Sequence, residues 1–288
     1  VIPSWRASRA VLTLCAIAAA LVIAGCGADG GKVERGDVPA LADVSRRLNA
    51  SIDGSERIRA RATVQIRYTD DDGTRRFEQG EGLFRMDGSL VALSVGKVGE
   101  TLFWLGCDDR RYWWFDLSGD TRTAYVGLHD GPGVGRGGIA GAVNPRALPW
   151  LMGRVPVEGT GACQWSSDGR LLGVTTRLAS GFERRWIDPA TYETRKVELY
   201  DDQRRAVLVA DLSRYEFMTL TGRGGPGPRV PTQVFIGHPA TGTELRLYLE
   251  DPDDGARAMD PAAFDFIKLS ASLRATRTVD LDAEAGRK

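Results

Sequence analysis

The side chains in this chain that could do covalent, metal or acid–base chemistry are four cysteines, two histidines and scattered carboxylates. His129 and His238 have no cysteine or histidine at ligand spacing, so no metal site is predicted. The aspartate groups at 70–72 and 251–254 resemble calcium ligands in composition, but neither is followed by the glutamate that an EF-hand loop requires, and both read as solvated turns. Glu183, Asp188 and Glu198 have no spacing that pairs them for acid and base work. No Gly-x-Ser-x-Gly elbow is present, and no histidine is placed to serve a nucleophile. Gly133-Val134-Gly135-Arg136-Gly137-Gly138 satisfies the spacing of a dinucleotide fingerprint after Tyr125-Val126. Pro145 cuts short the helix that fingerprint needs, so the run reads as a rim loop. No catalytic residue, metal or cofactor follows from these signals, and an enzyme is not expected.

One cysteine does carry a chemical expectation. Arg6 and Arg9 precede the uncharged apolar run Ala10 to Ala24, as in a secretory leader, and the run is shorter than the roughly twenty residues a bilayer demands. It ends in Ile23-Ala24-Gly25-Cys26, which resembles a bacterial lipobox. That resemblance implies a diacylglyceryl thioether on Cys26, cleavage before it, and attachment to the membrane through the lipidated residue. Small Ala24 and Gly25 fit a peptidase cleft. Two or three acyl chains anchor a protein stably where one binds only marginally. Gly27, standing where an aspartate would matter, favours the outer membrane facing the periplasm over the inner membrane. Cys15 lies in the leader, which leaves Cys107 and Cys163 in the exported part. In an oxidising envelope these could form a disulfide worth about 4 kcal/mol on the chain-entropy argument, or stay as two buried free thiols.

The full chain has 38 basic and 38 acidic residues, a balance that offers no basic field for nucleic acid. Four segments follow: a signal peptide at 1–25, a lipidated tether at 26–36, one domain at 37–270, and a charged tail at 271–288 expected to be disordered.

The domain is predicted to be mainly β with a few helices. Val38, Leu41, Val44, Leu48 and Ile52 recur at three- and four-residue steps, predicting a helix over 38–51 with Asp37 as its cap and Pro39 in its first turn. Ala60, Ala62, Val64, Ile66 and Tyr68 alternate with polar residues, the mark of a half-buried strand. Turns at Asp70 to Gly73, Asp87-Gly88, Gly96 to Gly99, Asp108-Asp109 and Ser118 to Asp120 separate five further strands up to Val126, an antiparallel meander. A short helix over Pro145 to Met152 follows, and then more hairpins, ending with Val230 to Ile236 and Glu244 to Glu250. About twelve strands and two or three helices emerge, with no alternation of parallel strand and helix.

The runs Phe182 to Thr191, Arg195 to Asp201, Val230 to Ile236 and Met259 to Asp265 are similar to the core of LolA/LolB/LppX-like envelope proteins. The helix before the first strand and the lipobox fit as well. The resemblance implies a large curved antiparallel sheet forming an unclosed half-barrel covered by helices. It also implies a use, the binding of acyl chains or lipoproteins in an apolar cavity for lipoprotein localisation or lipid transport. The other reading is an envelope interaction or stress-sensing lipoprotein on the same scaffold, without lipid cargo. Phe103, Trp104, Tyr112, Trp113, Trp114 and Phe115 are candidates for cavity or core, with Trp113 and Phe115 on one face, Tyr112 and Trp114 on the other, and the concave side undecided. By the same resemblance Val98, between Gly96-Lys97 and Gly99, is the candidate membrane-touching tip, although an ordinary turn residue is the plainer reading.

Mass spectrometry of the native protein is expected to find a diacylglyceryl group on Cys26 and no residue before it. An unmodified Cys26 within an intact leader would refute the anchor.

Overall fold

The computed structural model describes residues 36–69, 73–131, 144–222, 224–256 and 259–285. Cys26, the leader, the tether up to residue 35 and the Gly133–Gly138 run lie outside them. Helix α1 (Leu41–Ile52) precedes strands β1 (Arg57–Thr69), β2 (Arg75–Asp87), β3 (Leu90–Lys97), β4 (Glu100–Cys107), β5 (Arg111–Asp116) and β6 (Thr123–Leu128). A 3-10 turn (Pro145–Ala147) leads into the one-turn helix α2 (Leu148–Leu151). Strands β7 (Gly161–Trp165), β8 (Leu172–Leu178), β9 (Gly181–Ile187), β10 (Thr194–Tyr200), β11 (Ala206–Phe217), β12 (Arg229–His238) and β13 (Thr243–Asp253) form a second meander. A 3-10 turn (Pro261–Phe264), α3 (Phe266–Ser272), β14 (Arg277–Asp280) and α4 (Leu281–Ala285) complete the described chain.

All strands belong to one unclosed sheet, ordered β14-β6-β5-β4-β3-β2-β1-β13-β12-β11-β10-β9-β8-β7. Each meander pairs neighbour with neighbour, and β1 zips the two together by lying antiparallel between β2 and β13. The alternation in β1 is realised as expected, because Ala60, Ala62, Val64 and Ile66 point into the main core while the intervening residues face water or share cross-strand ion pairs. Arg61 with Glu250 and Arg67 with Glu244 are such exposed pairs, worth little individually.

The sheet curls because two glycines let it. A Cβ on Gly82 would lie 1.7 Å from the Ser94 carbonyl oxygen, and one on Gly80 would lie 2.5 Å from Val95 Cγ1. Only a residue without a side chain lets β3 cross β2 this closely, which bends the wall at that point. The resulting main cluster gathers β1, β2 and β3 with the inner faces of β4, β5 and β10 to β13. A second cluster forms where Val44 and Leu48 of α1 cover Leu172, Val174 and Ile187. On the opposite, convex face, α3 covers only the β4 to β6 end, through Leu269 and Phe266 against Trp113, Phe115 and Ala124.

Two expectations change, and one open alternative is decided. The first helix starts at Leu41 with Ala40 in extended conformation as its N-cap, not at Asp37, because the proline at 39 holds the preceding residue away from helical geometry. Val38 consequently drops out of the buried stripe and is exposed.

The tail expected to be disordered is ordered up to residue 285. Val279 and Leu281, two apolar residues in a charged run, enter the main cluster, and residues 277–280 pair in parallel with β6, whose edge would otherwise expose bare backbone groups. Asp282 then accepts a hydrogen bond from the Leu128 backbone N–H at 2.7 Å.

Of the two alternatives left open for Cys107 and Cys163, a disulfide or two free thiols, the structure has the free thiols. Both thiols are free, Cys107 on β4 in the main cluster and Cys163 on the far edge strand β7 against α1.

Gly82→Ala is expected to lower unfolding free energy by about 1–3 kcal/mol, since the β3 backbone cannot give way without straightening the wall. Chemical denaturation checks this, and a loss below about 1 kcal/mol would show that the bend does not depend on that glycine.

Candidate functional site

The concave wall is apolar over most of its width. Leu245, Leu247 and Leu249 of β13 continue the row begun by the alanines, valine and isoleucine of β1, and Val234, Ile236, Leu208, Ala210 and Leu212 extend it toward β10. The six aromatic residues singled out in the sequence divide between the two faces. Phe103, Tyr112 and Trp114 point inward, Trp114 lying 5.7 Å from Phe103 and 6.3 Å from Tyr125 between ring centroids. Trp104, Trp113 and Phe115 point outward, beneath α3 and the 261–264 turn, and are core of a satellite cluster instead of cavity lining. Pleating requires this split, since neighbours along a strand alternate between faces.

A strap crosses the concave side between the two meanders. Asn144 caps its first turn by accepting from the Arg146 N–H, and Leu148, Leu151 and Met152 plug into the main cluster. Beyond α2 the strap is tied down by polar groups. Asn49 of α1 donates to the Val157 carbonyl at 3.1 Å and accepts from the Val157 N–H at 2.8 Å. Arg154, buried, donates to the carbonyls of Met152 at 3.2 Å and Arg229 at 3.1 Å and to Ser55 Oγ at 3.3 Å. Burial and the nearby Arg185 lower the pKa of its guanidinium.

Under the strap, β9 places two charged side chains on the concave wall. Arg185 Nε donates to Glu183 Oε1 at 2.5 Å, and Arg185 Nη1 donates to the Val155 carbonyl of the strap at 2.5 Å. Both side chains are almost wholly buried, at 1% and 4% exposure. Next to them Glu193 pairs with Arg195 at 2.9 Å and with Arg229, while Tyr215 donates its hydroxyl to the Thr194 carbonyl. Burial raises the Tyr215 hydroxyl to about 12. Sequence reasoning missed this cluster. Its one signal was a strand, Phe182 to Ile187, amphipathic whichever way it is turned.

The rim carries the remaining candidate. Val98 and Gly99 form the two-residue turn between β3 and β4, with φ of 51° and 84°. Val98 is 95% exposed, and a β-branched residue in left-handed backbone is costly, so the turn presents an apolar tip at a conformational expense. A groove of about 840 Å³ runs beside it, lined by Gly80, Gly82, Ser94, Gly96 and Thr101 among others. No group of three or more His, Cys, Asp or Glu side chains that could hold a metal occurs among the described residues.

No protein-family model and no curated protein matches the sequence. Solved structures do align over most of the chain. A DUF1329 family protein from Desulfovibrio piger is 16% identical with a TM-score of 0.47, covering 79% of this chain and 96% of its own. A LolA superfamily protein from Nitrosomonas europaea is 12% identical with a TM-score of 0.46, covering 78% and 97%. A putative outer membrane lipoprotein-sorting protein domain from Vibrio parahaemolyticus is 12% identical with a TM-score of 0.43, covering 78% and 97%.

The two thiols offer a direct check on the packing. Burial pushes Cys107 from its ordinary 9.0 up to about 12, leaving on the order of one thiolate in ten thousand at pH 8. Cys163 is also raised by burial but is only partly buried. Iodoacetamide at pH 8 is expected to label Cys163 in the folded protein and Cys107 only after unfolding. Because the folded pKa of Cys107 lies above the unfolded one, its contribution to stability is intact below pH 9 and falls away as pH rises toward 12. Equal labelling rates for the two thiols would contradict the packed β4 face.

Proposed function

We propose that the protein is a lipid-anchored, extracytoplasmic acyl-chain or lipoprotein binder, held to the membrane through Cys26 and using its concave wall as the binding surface. The observation that carries this reading is the wall itself, an unclosed sheet that turns one broad, almost uninterrupted apolar face inward and, among the described residues, is roofed by the short strap, α1 and the C-terminal segment. The resemblance of the Phe182–Asp201, Val230–Ile236 and Met259–Asp265 runs to envelope carriers supports the same use.

Acyl uptake requires the guest to replace side-chain contacts made by the strap. Leu148, Leu151 and Met152 are the only apolar residues of that helical turn and its end in the main cluster besides half-buried Ala147, so few contacts must yield. Each methylene a guest buries contributes roughly 0.8 kcal/mol, so a partly inserted chain suffices for useful binding. No covalent step on the guest is needed, and the site offers none. In this reading Val98 is the tip that meets the lipid surface, and the cost of its left-handed backbone is a reason to treat its apolar side chain as functional.

A second reading has an observation of its own. The concave side chains are nearly all buried by the protein's own residues, as in a scaffold whose interior is a finished core and whose outer surface meets a protein partner in the envelope.

Uptake of a fluorescent fatty acyl probe by the mature protein, together with lipid released from it by organic extraction, would favour the binder. Absence of both, with crosslinking that recovers a protein partner, would sink it in favour of the second reading. Val98→Asp is expected to cut flotation of an unlipidated Cys26→Ser form with lipid vesicles several-fold while acyl uptake persists. Unchanged flotation would return Val98 to an ordinary turn.

A further inference from the structure

We infer that the concave wall ends at β9 in a site for the anionic head of an acyl lipid, with Arg185 and Arg154 as the groups that receive it. The inference rests on the acyl-binding reading and adds the chemistry of the head group.

Five of the six residues in one continuous cross-strand row on the wall are apolar. Val174, Val197, Ala210, Ile236 and Leu245 follow one another across β8 to β13, and Arg185 stands between Val174 and Val197. A guanidinium there is costly unless its charge and donors are met. They are met only in part. Glu183 neutralises Arg185 and the Val155 carbonyl takes one more donor, yet Arg185 Nη2 is buried without a hydrogen-bond partner. Arg154 beside it donates to the neutral oxygens of Met152, Arg229 and Ser55 and meets the Tyr215 hydroxyl, and the carboxylate that acts on it is Glu193. Glu193, the other buried carboxylate nearby, is engaged by Arg195 and Arg229. Counted with Asp188, which also pairs with Arg195, the four guanidiniums of Arg154, Arg185, Arg195 and Arg229 face three carboxylates, so the seam is one anion short.

The place of that deficit matters as much as its sign. Arg185 lies where the main apolar cluster gives way to the smaller one under α1, at the boundary between Val197 and Val174. A hydrocarbon chain laid along the main cluster would bring its polar end to this boundary. Carboxylate or phosphate oxygens are what planar guanidinium donors match best. The group such a head displaces is the Val155 carbonyl, so binding and lifting of the strap at residues 154–157 are coupled.

The test compares ligands that share a tail and differ in charge, using the mature protein. Palmitate should bind roughly ten- to hundredfold more tightly than methyl palmitate, the range expected for hydrogen bonds to a charged group. Dipalmitoyl phosphatidic acid should similarly exceed dipalmitoylglycerol. In the charge-neutral double variant Glu183→Gln/Arg185→Met, shown to be folded by its melting transition, the preference for the acid should fall to about onefold. Equal affinities for acid and ester in the unaltered protein would mean that Arg185 holds only water, and would overturn the assignment. That first comparison needs no variant, so a double variant that fails to fold does not remove the test. Binding of inorganic phosphate without any charge preference among the lipids would assign a free-anion site and overturn the lipid head. Failure of every palmitoyl compound to bind would instead remove the acyl reading on which the inference rests.

Discussion

An open sheet with one greasy side has to be covered somewhere, and the shape of this protein follows from how little material is available to do it. Among the described residues the wall runs through fourteen strands, while the helices are few and short. Curling brings the wall's own side chains against one another, so the sheet covers much of its concave face by bending, and the bend is possible because β2 carries glycine where β3 passes over it. What bending leaves open is closed by the strap between the meanders, by α1 at one end and by the C-terminal segment at the other. Hydrophobic burial is proportional to area and indifferent to the identity of the covering group. A leucine of the strap and a methylene of a guest are therefore competitors for the same surface.

The buried charges under the strap oppose this logic of oily contact. Replacing a buried ion pair by apolar residues of the same volume is often neutral or stabilising, so Glu183 and Arg185 do not earn their place by stability alone. They do give the strap a defined seat, since Arg185 reaches the Val155 carbonyl and Arg154 ties the same segment to β12 and to Ser55. Polar ties of this kind hold one geometry where apolar contact would tolerate several. They are also sensitive to any competing oxygen atom.

Much of the scaffold was legible in the residues. Period-two alternation in Ala60 to Ile66 and in Leu245 to Leu249, with aspartate and glycine at the turns, is local information, and the strands lie where it puts them. What escaped was set by partners distant in sequence. Val279 and Leu281 look like stray apolar residues until β6 supplies an edge to pair with. The strand Phe182 to Ile187 offers aromatics on one face and Glu183, Arg185 and Ile187 on the other, and hydrophobicity alone would turn the aromatics inward. The fold does the reverse because the outer face satisfies them. Arg184 stacks 5.8 Å from Trp186 and 5.4 Å from Tyr200, and the Trp186 indole N–H donates to Glu198 at 3.0 Å. The candidate aromatics on β4 and β5 were visible as a group. Their division between inner and outer faces needed the direction of curl, which no local pattern encodes.

The way β1 and β13 meet has a bearing on how the molecule comes into being. Nearly every strand pairs with its neighbour along the chain, so each meander can assemble from short-range contacts as soon as its own residues are free. The exceptions join the beginning of the domain to Thr243–Asp253, and β6 to the final residues. Until those late segments arrive, two half-walls exist side by side with unprotected margins and no common interior. Completion thus waits for β13 and β14, and whatever guards an unfinished wall from joining its neighbours has to persist until they are in place.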